Sequence, residues 1–113
     1  MAEGEGLVFP IKHVLLYGWE FRVSRDLSDV AKRLEKARFY VVRPREDFLV
    51  LTSLARPSAV IIVLIQRGER GGELLVIQTP QGPYSFEGLL RAVPVFARLA
   101  GIKLTGRWPK ANP

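Results

Sequence analysis

The sequence predicts an α+β domain: an antiparallel four- to five-stranded sheet with two helices packed on one face. Three observations carry that expectation. The hydrophobic period switches between 2 and 3.6 along the chain. The resulting element order is strand, helix, four strands, helix. Short connections join the last four strands, which makes them antiparallel neighbours and leaves two helices to cover one sheet face.

Residues 14–23 form the first strand, in which Trp19, Phe21 and Val23 alternate with Glu20, Arg22 and Ser24. Gly18 interrupts it and suggests a bulge or a close backbone approach. Leu27, Val30, Ala31 and Leu34 then fall at i, i+3, i+4 and i+7, with Lys32, Arg33, Glu35 and Lys36 on the other side. Asp26 is the expected N-cap, and Asp29 sits in the first turn, where the helix dipole favours negative charge. Strands Arg38–Arg43 and Phe48–Thr52 follow, joined by the turn Pro44-Arg45-Glu46-Asp47.

A loop through Arg56-Pro57 leads to the apolar strand Ala59–Ile65. Gln66–Gly72 reads as a long hairpin tip carrying Arg67 and Arg70, and Glu73–Thr79 is the return strand. Pro80, Gly82 and Pro83 break the chain before Ser85 caps a second helix. That helix places Phe86, Leu89, Leu90, Val93, Ala97 and Ala100 along one stripe. Pro94 predicts a kink or restart, and Gly101 the stop. Ile102–Thr105 can add a short strand. The domain is expected over 12–105, between a flexible N-terminal tail, 1–11, and a C-terminal tail, 106–113, loose apart from Trp108.

A chain of 113 residues, 48% hydrophobic, suits one domain with one real core. Its longest unbroken apolar run, Ala59 to Ile65, is far short of the roughly 20 residues of a membrane helix. The start, Met1-Ala2-Glu3-Gly4-Glu5-Gly6, is acidic, the reverse of a signal peptide. A cytoplasmic protein without membrane association is the expectation. The absence of cysteine removes disulfides, thiol catalysis and thiolate metal sites together. One Met and one Asn fit a thermophilic source, and twelve arginines against five lysines fit it too, although genomic base composition gives the same arginine bias. The net charge is +6, and setting aside Glu3 and Glu5 leaves seventeen basic residues against nine acidic ones, about +8. Charge of that size favours polyanionic partners, or serves only solubility.

Catalytic constellations are lacking. His13 is the single histidine, so no His-His metal pair can form, and no Gly-x-Ser-x-Gly elbow occurs. Gly68-Glu69-Arg70-Gly71-Gly72 lacks the Gly-Lys-Ser/Thr and following helix of a phosphate loop. The order of elements over Asp29–Ile65 is similar to the core of archaeal Holliday-junction resolvases, with Asp47 at a strand start. The next strand, Ile62-Val63-Leu64-Ile65-Gln66, has no Glu-x-Lys to hold a metal ion. The expectation is no enzyme, no metal and no cofactor.

Binding is better supported. Strands Phe48–Thr52, Ala59–Ile65 and Glu73–Thr79 are apolar at both parities, so the sheet has two apolar faces for two helices to cover. The surplus face must meet a second subunit, a ligand or nucleic-acid bases. A homo-oligomer, dimer or higher, is the first expectation for at least part of it. Arg38 to Arg45 interleaves aromatics with arginines, and single-strand binding needs stacking surfaces flanked by cations. The candidate nucleic-acid-binding residues are Trp19, Arg22, Arg38, Tyr40, Arg43, Arg45, Arg56 and Arg67. The plainer alternative puts Trp19, Phe21 and Phe39 in the core and leaves the arginines as solvated edges.

On the stretches Trp19–Arg22 and Arg38–Arg45 and on element order, residues 12–105 resemble the ThermoDBP group of archaeal single-stranded DNA-binding proteins. The resemblance implies single-strand binding, no metal and dimeric or higher assembly. The competing reading is a structural or scaffolding subunit that buries its second sheet face against a protein partner. Convergence of Arg22, Arg38, Arg43 and Arg45 beside an open apolar groove would favour single-stranded DNA or RNA; scatter would favour scaffolding.

Overall fold

The fold comes from a computed structural model that describes residues 15–24, 26–54, 60–79, 82 and 84–108. Its elements are β1 (Leu15–Val23), α1 (Leu27–Lys36), β2 (Phe39–Arg45), β3 (Phe48–Ser53), β4 (Ile61–Arg67), β5 (Gly71–Gln78), α2 (Phe86–Ala100) and β6 (Ile102–Trp108). The strands form one antiparallel sheet in the order β2-β3-β4-β5-β1-β6. The sheet therefore has six strands rather than four to five.

The helices begin where the capping chemistry says. The Asp26 carboxylate accepts hydrogen bonds from the Ser28 and Asp29 backbone N–H groups, two donors that the first turn leaves without partners. It also accepts from the Ser28 hydroxyl at 2.7 Å. That hydroxyl bond first, then the backbone donors, hold its pKa below the usual 3.8, with a small contribution from the Arg43 charge. Ser85 caps α2 by accepting from the Gly88 N–H at 3.0 Å. α2 runs without a restart through Pro94, which is exposed and has no N–H to offer the Leu90 carbonyl. Gly101 closes the helix in the left-handed region, φ 78°. Arg33 of α1 reaches across to the Leu99 and Arg98 carbonyls and caps the same end.

The core lies between the helices and alternate residues of the strands. Leu27, Val30 and Leu34 of α1 and Leu89, Val93, Phe96 and Ala97 of α2 pack on Trp19, Phe21 and Val23 of β1, Leu49 and Leu51 of β3, Leu64 of β4, and Leu74 and Val76 of β5. Cross-strand pairs such as Trp19 with Leu74, Leu74 with Leu64, and Leu64 with Leu49 put these residues on one face. Phe39 joins them through an edge-on contact with Phe96, ring centroids 5.5 Å apart. Leu90, expected in the stripe, is instead exposed, and Phe96 takes a core position.

Several boundaries differ from the sequence expectation. The irregularity in β1 lies between Glu20 and Phe21, opposite β6, not at Gly18. Arg38 precedes β2, with φ 72°, in the turn that closes α1. Gly71 and Gly72 belong to β5, so the hairpin tip shortens to Gly68–Arg70. β6 extends to Trp108 and takes in the start of the expected C-terminal tail, because β1 offers it an unpaired edge from Val23 back to Gly18. The ends of the flanking strands Arg38–Arg43 and Glu73–Thr79 shift by a residue or two. Ala59, Arg56 and His13 lie outside the described residues.

Candidate interaction surface

Antiparallel partners point their side chains to the same face, so the register defines the face that the helices do not cover. β2 contributes Tyr40 and Val42, opposite Thr52 and Val50 of β3. Val50 and Phe48 face Val63 and Ile65 of β4, which also brings Ile61. Leu75 and Ile77 of β5 pair with Val63 and Ile61, and Leu16 of β1 pairs with Ile77. The result is a contiguous apolar surface across five strands. Strand spacing makes it roughly 20 Å wide, and four to five residues make it roughly 15 Å long, on the order of 300 Å² in projection. The largest apolar patch on an ordinary monomer is of about this size and is often functional. Neither described helix lies on it: the buried side chains of α1 and α2 all belong to the core on the other face. Tyr40, Val42 and Ile61 are 60%, 43% and 39% exposed, whereas Val63, walled in by its neighbours, is buried.

Because the strands alternate direction, the ends of β2, β4 and β1 and the starts of β3, β5 and β6 share one end of the sheet. That end carries Arg22, Arg45, Arg67 and Lys103, but also Glu20, Glu73 and Asp47. Arg45 grips the Asp47 carboxylate with Nε and Nη2, both at 3.3 Å, and Arg67 Nε lies 3.3 Å from Glu73. Glu73 stands opposite Glu20, and Arg22 opposite Gly71 and Lys103. The border of the apolar face is thus close to charge balance. Exposed pairs of this kind contribute roughly 0–1 kcal/mol to stability, so their weight is in which surfaces can meet them.

The predicted binding residues divide accordingly. Tyr40, Arg22, Arg45 and Arg67 lie on the open face or its border. Arg45 reaches that face despite its odd number because the β2–β3 register shifts between Val42 and Arg45 and pairs it with Phe48. Arg43 does not join them: it donates to the Glu46 carbonyl at 3.2 Å, and its charge acts on Asp26 at the α1 end. Arg38 is at the opposite end of the sheet, ahead of β2. Trp19 is 5% exposed in the core, paired with Leu74, and cannot stack on a base. Its strand parity, shared with Phe21 and Val23, is the signal that predicts this. Arg56 lies outside the described residues. The arginines are therefore dispersed and partly paired, not gathered into one basic groove.

A second apolar feature lies on the helix side. A cavity of about 530 Å³ opens between α2 and the sheet, with Ile62, Leu74 and Val76 in its floor and Phe39 at one side. Ala92, Val95, Phe96 and Leu99 form its α2 wall, at i, i+3, i+4 and i+7. That spacing is a second helical stripe, legible in the sequence as apolar residues at i, i+3, i+4 and i+7. Among the described residues no group of three or more His, Cys, Asp or Glu side chains could hold a metal ion. No described helix is long and apolar enough to cross a membrane.

Compared with known proteins, the chain matches no protein-family model, no curated protein and no solved structure.

Proposed function

We propose that this chain is a non-catalytic assembly subunit that works by burying the open face of its sheet against a protein surface, a second copy of itself in the first instance. One observation carries the reading: the face is contiguous, mostly β-branched and aliphatic, and its border charges are of both signs. An apolar centre inside a polar rim is how protein interfaces are built. A nucleic-acid platform needs planar groups for stacking and an excess of free cations along the strand path. On this face Tyr40 and Phe48 are the aromatics with described side chains, and Arg45 and Arg67 are already engaged by carboxylates.

Single-stranded nucleic-acid binding, DNA favoured over RNA, is the second reading. It is supported by the net charge of +6, by Phe48 paired with Arg45 at one end of the face, and by the exposed Tyr40 at the other. On either reading the protein acts in solution, without metal or cofactor.

Light scattering on the purified protein decides between association and a lone chain. The discriminating variant is Val42→Lys with Ile61→Lys, since both side chains are already exposed in the single chain. Association in the parent and a monomer in the variant is the expected result. A parent that stays monomeric at high micromolar concentration, yet binds labelled oligothymidine more tightly than a matched duplex, overturns assembly in favour of nucleic acid.

A further inference from the structure

The cavity beside α2 is on the opposite side of the sheet from the open face, and the assembly reading leaves it without a role. Its floor is core: Leu74 and Val76 are fully buried, as is Val93 in the wall above them. Its outer wall is not. Val95 and Leu99 remain 49% and 45% exposed on a helix that could have turned polar residues to water there. Among the described residues no charged side chain lines it; Ser53 and Tyr84 supply its hydroxyls. Sites for small apolar ligands are concave, about 300–1,000 Å³, mostly apolar and edged by a few polar groups. The volume here, about 530 Å³, is in that range.

We propose that this cavity binds one aliphatic chain bearing an anionic head group. At somewhat under 30 Å³ per methylene, near the volume of a water molecule, a chain of roughly eighteen to twenty carbons fills it. A flexible chain suits an apolar lining with two hydroxyls better than a rigid polar ring system, which would leave most of its heteroatoms unpaired. The anionic head follows from charge placement. Arg38 directly precedes Phe39 in the wall, and its carbonyl accepts from Leu54 N–H at 3.0 Å, which anchors it at the end of β3 beside Ser53. Its side chain is exposed, and the chain as a whole is cationic.

The test uses cis-parinarate, a fluorescent polyene fatty acid, titrated into the full chain below its micelle concentration. The expected result is saturable binding of one molecule per chain. Val95→Glu, which changes an exposed wall residue and so spares the fold, weakens binding at least tenfold, and Ala92→Trp fills the cavity and does the same. Val42→Lys with Ile61→Lys on the open face leaves binding unchanged. Arg38→Gln weakens parinarate several-fold but not its methyl ester. Non-saturable binding, or loss in the open-face variant with retention in Val95→Glu, overturns the proposal; that outcome moves the ligand to the sheet face and leaves the assembly test untouched. Equal loss of acid and ester in Arg38→Gln overturns the anionic head.

Discussion

Among the described residues Gln78 is the one buried polar side chain, and its removal has a calculable effect. It is 3% exposed at the end of β5, where its amide donates to the Tyr84 carbonyl at 2.6 Å and its Oε1 accepts from the Tyr84 N–H at 3.4 Å. One side chain thus bridges both backbone groups of the residue preceding the α2 cap. Gln78→Met keeps length and volume and deletes both bonds. At a net ~1 kcal/mol each, with the 2.6 Å bond the stronger, the loss is about 2 kcal/mol. Tyr84 is partly exposed, so water can take over its orphaned groups and keep the cost from rising much further. For a domain near this size about 2 kcal/mol lowers Tm by on the order of 10 °C. Urea unfolding followed by circular dichroism measures it, with the m-value checking that the denatured state has not changed. Gly82→Ala should reproduce part of the loss, because an added Cβ would meet Gln78 Oε1 at 2.5 Å. A loss under about 0.5 kcal/mol at constant m refutes the clasp.

Other outcomes follow from single residues. Gly101→Ala should destabilise by about 1 kcal/mol or more in the same assay, since φ is 78° and the new Cβ would lie 2.8 Å from Arg33 Nε. Arg38→Gly should stabilise by up to about 1 kcal/mol, because it relieves a positive φ of 72° in a residue with a Cβ. Asp26 has a folded-state pKa below 3.8, so its contribution is present above that pH and is lost as pH falls through the lowered value. Asp26→Asn should keep the cap while flattening the acid limb of the stability curve, as seen in thermal melts from pH 6 to pH 2. Magnesium or manganese should produce no cleavage of single strands, duplexes or junctions; cleavage that survives repurification and disappears in Asp47→Ala would contradict the non-catalytic reading.

Local chemistry was legible in advance where it acts within a few residues. Asp26 and Ser85 cap their helices and Gly101 ends the second, as their side chains and φ preference require. The two-parity strands announced a second apolar face, and the open surface of Val42, Val50, Ile61 and Ile65 is that face. Which face a side chain takes was less legible. Trp19 looked available beside Arg22, but consecutive strand residues point to opposite faces, and Trp19 shares its face with Phe21 and Val23.

Residue pattern alone determined the α+β class, the helices with their caps, and the presence of more apolar sheet surface than two helices can cover, because each depends on periodicity and on bonds between near neighbours. Only the tertiary structure decided that β1 lies between β5 and β6, that Arg45 crosses to the open face, and that Arg45 and Arg67 meet carboxylates. When both parities of a strand are apolar, the pattern does not say which one faces the helices. That choice is made by strand pairing between residues far apart in the chain, and a shift of register reverses it.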